Sequence, residues 1–511
     1  MSEAETKNAF LAAPQAKKML TLVGLYVGLI AQLCTSVTFS SWLRTAQTEF
    51  SDGYLYIFAI SVGGILGLIA MPLFGYFGAK DPALKKPLIC VSLLLGLIVL
   101  LGRAVAPSMI VIAMVSAFWG FVSAGIYVLG FSMIRDMFEQ SKVGLYLGLV
   151  GTMSSIGMLV GPIAGGMIMQ SPIGWRGLNF ILAILMAVAL VMVFLGVSVK
   201  KAEVANMASP SHTFDVTGTI ALMVFLGALI IMLSMTSVFP LGSLVSNVLA
   251  ILALIGLVGL IFDINKKDEK AIVPKKVLKD WNCIMLAISI ALCMITSMSL
   301  SYFLPQYLPS LRADAIIQAI DPETKGLSML LPTACCALSS MFLGPVLGKR
   351  IAKAGNARGV TTVATIVQIV IFVIFTALFF GVLGKDESGV AKVPYVAILV
   401  LMFCAGLYNS RNQVLGAAAP QIQIRPEIRV QANSIVQVGQ NLGGGLAMPI
   451  FGLVQAVFAA PLIASGMDKS VATVAAIPSA MPWIMVIVTV LSVVLLITGL
   501  LLRPLKKDDD K

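Results

Sequence analysis

Charge is scarce in this sequence and histidine almost absent: only 11% of its 511 residues are Asp, Glu, Lys or Arg, and one is His. With 59% hydrophobic residues and a mean hydropathy of +0.99, an ordinary soluble domain is excluded, because no single core could bury so much apolar surface. At hydrocarbon depth the long apolar runs hold no Asp, Glu or His, so they cannot assemble a metal cluster, a catalytic triad or a paired acid. The chain reads as a protein with no enzymatic activity and no cofactor. The nearest approach to a nucleotide-binding loop, Gly344 to Arg350, has the wrong glycine spacing and lacks the Ser or Thr that would follow, which leaves ATP-driven work unsupported. All seven cysteines fall inside apolar runs, where they act as small apolar residues, and no disulfide framework is implied. The lone His212 sits in a polar loop and is not read as a ligand.

What the sequence does hold is apolar length. Fourteen runs of about 20 apolar residues recur between Leu20 and Leu502, each sufficient to cross a hydrocarbon core of roughly 30 Å as a helix. The expected fold is all-α and integral to a membrane. The formal net charge of +12 is not gathered into one patch, so nucleic acid is not expected as a partner. With the N-terminus placed inside, 26 Lys and Arg fall in cytoplasmic segments, eight in external loops, and Arg411 alone lies within a span. This asymmetry predicts a multi-pass protein of the plasma (inner) membrane of a prokaryote with both termini cytoplasmic, a lipid bilayer as its surroundings and a monomeric state. The polar stretch from Met1 to Lys18 precedes a span too long for a signal-peptide core, so no removable targeting peptide is expected.

The longest cytoplasmic loops, 199–215 and 265–282, bracket spans 7 and 8; the second is basic and amphipathic and reads as an interfacial segment. A short internal repeat supports a division there. Ala124 to Tyr127 in span 4 recurs as Ala405 to Tyr408 in span 12, and the glycines from Gly157 to Gly166 have a counterpart from Gly439 to Gly445. The division expected is 1–198 as a six-helix bundle, 199–282 as two inserted helices with their loops, and 283–511 as a second six-helix bundle with a short tail.

Gly157, Gly161, Pro162, Gly165 and Gly166 form the strongest local signature. Glycines four apart cut a flat groove into one helix face, and the proline permits a bend. With Gly174, Trp175 and Arg176 before span 6, this pattern resembles motif C and its following loop in the major facilitator superfamily. Fourteen spans, Asp215 opening span 7 and a basic loop before span 9 are similar to the drug:proton antiporter branch, which carries two inserted central helices. The resemblance implies two pseudo-symmetric bundles that rock about a central site by alternating access. Gly157, Gly161, Pro162, Gly165 and Gly166, with Gly75, Lys80 and Asp81 of the loop after span 2, would then serve gating.

The departures from that family are as informative. Ala79 stands where the loop motif expects Asp, Ser116 where span 4 often carries Arg, and Leu33 to Ser36 replaces an acidic pattern in span 1. Neutral polar residues take over: Gln32, Thr35, Ser36 and Thr38 in span 1, Thr296, Ser297, Ser299 and Ser301 in span 9, and Asn433, Gln437, Gln440 and Asn441 on one face of span 13. Arg44 and Arg103 lie near outer helix ends, where long side chains snorkel to water. Arg411 is different: about seven residues inside span 12, it is a cation at depth with no carboxylate to meet it. The substrate site expected from these residues comprises Arg411, Tyr408, Asn412, Gln437, Asn441, Thr38, Gln32, Ser301 and Tyr127. Its solute would be a small or amphipathic organic anion such as a carboxylate, a sulfonate or a bile-acid-like molecule. The alternatives are a multidrug-type efflux carrier for neutral or lipophilic compounds and, from another class, a non-transporting membrane sensor.

Overall fold

The structure is a computed structural model. It describes residues 9–50, 55–203, 215–234, 242–268, 274–311, 314–320, 327–386, 389–467 and 475–504, together with Phe239, Ala271 and Ala472. Within these residues the chain is helical, and its β content is one isolated bridge between Lys385 and Ala391. In lipid every backbone N–H and C=O must be met inside the segment, which a helix does unaided.

Fourteen long helical segments follow in order. The first bundle is α1 (Gln15–Phe50), α2 (Leu55–Lys80), α3 (Lys85–Ala104), α4 (Met109–Met137), α5 (Gln140–Gln170) and α6 (Gly174–Leu195). A hairpin of α7 (Val216–Ser234) and α8 (Leu244–Lys267) follows. The second bundle is α9 (Trp281–Tyr307), α10 (Leu327–Ala354), α11 (Arg358–Phe380), α12 (Tyr395–Ala417), α13 (Arg429–Ala464) and α14 (Ile477–Leu500). Among the described residues, eleven candidate spans are long and apolar enough to cross a membrane. The segment α12 is not one of them, and it carries Asn409, Arg411, Asn412 and Gln413 within two turns. Outward faces such as Val91, Leu94 and Ile98 on α3 and Leu254, Val258 and Phe262 on α8 are exposed and wholly apolar, as a lipid-facing surface requires.

The two bundles pack alike. In the first, α1 lies against α5 and α6, and α3 against α6; in the second, α9 lies against α13 and α14, and α11 against α14. The glycine signature explains one pair of these contacts. A Cβ on Gly157 would sit 3.2 Å from the carbonyl oxygen of Ile30, and one on Gly161 3.1 Å from Cα of Cys34, so the bare backbone of α5 is what admits α1. Gly439 and Gly443 do the same for α13 against α9, at 2.6 Å from the carbonyl of Ala287 and 2.7 Å from Cα of Ala291. Pro162 and Gly166 lie in α5, with side-chain positions outside the described set.

Between the bundles, α5 crosses α10 and α2 crosses α13. The first crossing is made by four glycines: a Cβ on Gly144 would meet the Gly348 carbonyl at 2.8 Å, one on Gly148 the Gly344 carbonyl at 2.8 Å, one on Gly344 the Gly148 carbonyl at 2.7 Å, and one on Gly348 the Gly148 Cα at 2.6 Å. Thr152 Oγ1 then donates to the Met341 carbonyl at 2.6 Å. At the second crossing a Cβ on Gly75 would lie 2.8 Å from Ser434 Cβ. These contacts gather where α5 begins and α10 ends, the same end at which α1 starts; this is the near end below. The inserted hairpin lies on α2 and α13. Lys267 closes it at the near end, its Nζ 2.5 Å from Asp215 Oδ1 and 2.8 Å from Asp263 Oδ1.

Candidate functional site

A cleft opens beyond the glycine crossing, lined by Met158 of α5, Ser297, Leu300 and Ser301 of α9, Thr333, Cys336 and Ala337 of α10, and Met402, Tyr408 and Asn409 of α12. Its lining is hydroxyl, amide, thioether and apolar, with no formal charge. Ser301 and Tyr408 are the two residues of the sequence-expected site that face it directly. Ser297, Asn409, Met158, Thr333, Cys336 and Met402 were not in that set. Thr333 and Cys336 are single small residues in the apolar run of α10, and a methionine in a span reads as packing.

Arg411 lies one turn beyond Tyr408 and points behind this wall. It is fully buried. Its Nε donates to Asn412 Oδ1 at 2.9 Å, Nη1 to Thr365 Oγ1 at 2.5 Å and Nη2 to Gln368 Oε1 at 2.6 Å. Gln368 in turn donates to Thr296 and Ser492 at 3.0 Å each. The fork expected to reach the solute is therefore turned toward α11 and occupied by neutral oxygens. A link to the cleft exists through Asn412, whose Nδ2 donates at 2.6 Å to Ser297 Oγ, a lining residue. None of the ion pairs among the described residues involves Arg411.

The remaining expected residues lie elsewhere in the interface. Gln437 Nε2 donates to the Gly416 carbonyl at 2.9 Å, and Asn441 Nδ2 meets Met71 Sδ at 3.0 Å, so these amides tie α13 to α12 and α2. Gln32 donates to Ser123 Oγ at 2.9 Å, within the first bundle. Thr38 is bonded back to the Cys34 carbonyl at 2.7 Å, as helix hydroxyls often are, and so are Thr35, Ser36 and Thr296 to carbonyls one turn earlier. Tyr127 lies in a π-helical turn, Gly125–Gly130, that interrupts α4. The side chains of Arg44, Ser40, Ser41, Tyr302 and Gln306, and all of His212, lie outside the described residues.

At the near end, Asp81 does not bridge the halves. It caps a short turn by accepting from the Ala83 N–H at 3.1 Å, and Lys201 approaches at 3.4 Å. Lys80 lies over the ring of Tyr76 at 5.8 Å. The buried charge contact here is Lys85, 2.5 Å from Asp136 and 2.9 Å from Ser132 Oγ, joining α3 to α4. Arg103 corrects an expectation: it does not snorkel, being only 2% exposed. Its helix end is enclosed by Phe39, Trp42 and Trp119 at 4.5, 5.9 and 5.1 Å, and its Nε donates to Ser116 Oγ.

With this geometry, the comparisons with known proteins agree. Residues 22–448 match the family model of the Major Facilitator Superfamily. The chain belongs to that superfamily, a class of membrane proteins that carry small-molecule solutes. It is similar to the MFS-type transporter ppz2 of Metarhizium majus (strain ARSEF 297), 28% identical over 29% of this chain and 24% of that protein. It is also similar to the MFS-type transporter gkaD of Penicillium citrinum, 25% identical over 40% of this chain and 35% of that protein. The matched stretches thus span about a quarter to a third of those relatives. Among solved structures, the human organic anion transporter MFSD10 (TETRAN) superposes with a TM-score of 0.56, covering 96% of this chain and all of that one at 12% identity, a likeness of fold alone.

Proposed function

We propose that the protein is a secondary transporter for a small amphipathic organic anion, which it moves through the cleft between its bundles by alternating access. In this reading all fourteen long segments cross the plasma membrane of a prokaryote, the near end and both termini face the cytoplasm, and the chain works as the three parts 1–198, 199–282 and 283–511. The observation that carries the anionic choice is Arg411, a fully buried cation whose three nitrogens meet only neutral oxygens. Its charge is uncompensated locally, and at an effective dielectric of about 20 and a separation on the order of 8 Å it favours a monoanion in the cleft by about 2 kcal/mol. The solute would touch Tyr408, Ser301, Ser297 and Asn409 and feel Arg411 through Asn412.

A second reading, an efflux carrier for neutral lipophilic compounds, is favoured by the uncharged, partly thioether lining. One experiment separates the two. Thermal stabilisation of the purified protein by a panel of organic anions, cations and neutral compounds is compared in wild type, Arg411→Lys and Arg411→Gln. Anion stabilisation should weaken in Arg411→Lys, which keeps the charge but cannot satisfy Thr365 and Gln368 together, and vanish in Arg411→Gln. Undiminished anion binding by a folded Arg411→Gln protein would remove Arg411 as the source of the anion preference, and stabilisation of the wild type by neutral compounds alone would replace the first reading with the second.

A further inference from the structure

Two buried hydrogen-bond donors with no partner among the described residues belong to neighbouring side chains at the end of the first bundle remote from the glycine crossing, the guanidinium of one lying 5.9 Å from the indole centroid of the other. One is Nη1 of Arg103 and the other Nε1 of Trp42. Both residues are enclosed, at 2% and 0% exposure. An indole N–H can only donate, and a guanidinium has no acceptor, so neither can satisfy the other. The rings of Phe39, Trp42 and Trp119 surround the guanidinium and attract it through their π faces, yet they offer nothing to its remaining N–H groups. Ser116 Oγ takes the Nε–H at 2.9 Å. The nearby acid is already engaged: Glu49 accepts from Trp175 Nε1 at 2.8 Å through one oxygen and from Arg176 Nη1 at 2.7 Å through the other.

What remains is a buried guanidinium with no ion pair among the described residues, and two N–H groups on adjoining side chains. We propose that Arg103 Nη1 and Trp42 Nε1 form a binding site for a small inorganic anion of halide size. The cation supplies the charge that draws an anion out of water, and the two donors supply its direct ligands. Enclosure excludes a bulky carboxylate. Aromatic walls cannot replace a strongly held hydration shell, so the site ranks iodide and bromide above chloride, and chloride above fluoride.

The site also has a structural consequence. Trp42 stacks on Trp175 at 5.3 Å with the planes 6° apart, and Arg176 covers the same Trp175 at 4.4 Å. A bound anion therefore completes a column that fastens α3, α1 and the start of α6 together. This proposal is independent of the nature of the transported solute.

Tryptophan emission reads the site, because a heavy halide beside Trp42 and Trp119 quenches the light of two of the five tryptophans in the chain. The full-length protein in detergent is titrated with sodium iodide or bromide against sodium gluconate at constant ionic strength, following emission and melting temperature. The expected result is saturable partial quenching with a saturable rise in melting temperature. Trp42→Phe removes the N–H and leaves a smaller aromatic ring, so the halide affinity, read from Trp119 emission and set against the variant's melting temperature in gluconate, should weaken on the order of tenfold; Arg103→Gln should abolish saturation. Quenching that stays linear in wild type, as for a pocket that holds only water, overturns the proposal. So does an affinity unchanged in Trp42→Phe, or displacement of iodide by acetate and benzoate more readily than by bromide, which would mark an organic-anion site instead.

Discussion

Gly348→Ala is the sharpest perturbation the fold offers, because its effect falls on one conformation only. The added methyl would stand 2.6 Å from Cα of Gly148 in the opposite bundle, where carbon atoms normally rest about 3.5–4.0 Å apart. This obstacle and the Gly144 carbonyl oxygen, which the methyl would also strike, are both backbone, so no side chain can rotate away, and α5 and α10 must part by about 1 Å. Overpacking of this kind costs about 1–3 kcal/mol. When the near end is open the same methyl meets no opposing helix and costs nothing comparable. The ratio of closed to open molecules should therefore fall about 5- to 150-fold. Spin labels on cysteines introduced at Ser141 and Lys353, at the near ends of α5 and α10, would report the change as a shift from the short to the long distance population. Gly452→Ala is the control, since a Cβ there has nothing within 4 Å. An unchanged distance distribution in Gly348→Ala, with the protein folded, would refute the view that this crossing is the contact that shuts the near end.

Further outcomes follow from the charged contacts. Arg176 and the Trp175 N–H hold the Glu49 carboxyl below the ordinary carboxylate range, so its contribution is present at neutral pH and is lost as pH falls through that depressed value. Melting temperatures below about pH 4 should converge for wild type and Glu49→Gln, and a constant gap down to pH 3 would contradict this. Lys267→Met leaves Asp215 and Asp263 facing each other at the mouth of the hairpin; a loss of about 1–3 kcal/mol is expected, less than for a fully enclosed pair because the lysine keeps a third of its surface, and an unaltered melting curve would argue against the clasp. Cysteine labelling in intact cells should find residues 265–282 protected and 306–326 reactive from outside; the reverse would overturn the proposed orientation.

The long segments were legible because lipid admits few alternatives: apolar length dictates helices, and glycines four apart mark a face that another helix can approach closely, without naming that helix. The repeat of Ala124 to Tyr127 in Ala405 to Tyr408 marked the correspondence of α4 and α12. The isolation of Arg411 from any acid was likewise visible in the sequence. Its direction was not, since Thr365 and Gln368 lie more than 40 residues away on a helix whose rotation only packing decides. Arg103 shows the same limit: nearness to a helix end implies escape to water, and three aromatic side chains from other segments close that route. Gly344 and Gly348 were weighed only against a nucleotide loop, although their partners Gly144 and Gly148 share the same spacing. Spacing alone does not say which two stripes of glycine will meet.

The interrupted helix α4 bears on how the bundles sense one another. A π-helical turn holds one residue more than an α-helical turn, so some of its carbonyls fall out of the usual ladder. Asn433 of the second bundle reaches across and donates its one amide group to two of them, Tyr127 at 3.1 Å and Val128 at 3.2 Å. Separation of the bundles removes that donor from both. Asn433 thus couples the backbone irregularity of one bundle to its contact with the other through a single neutral side chain, at a place where no charge is involved.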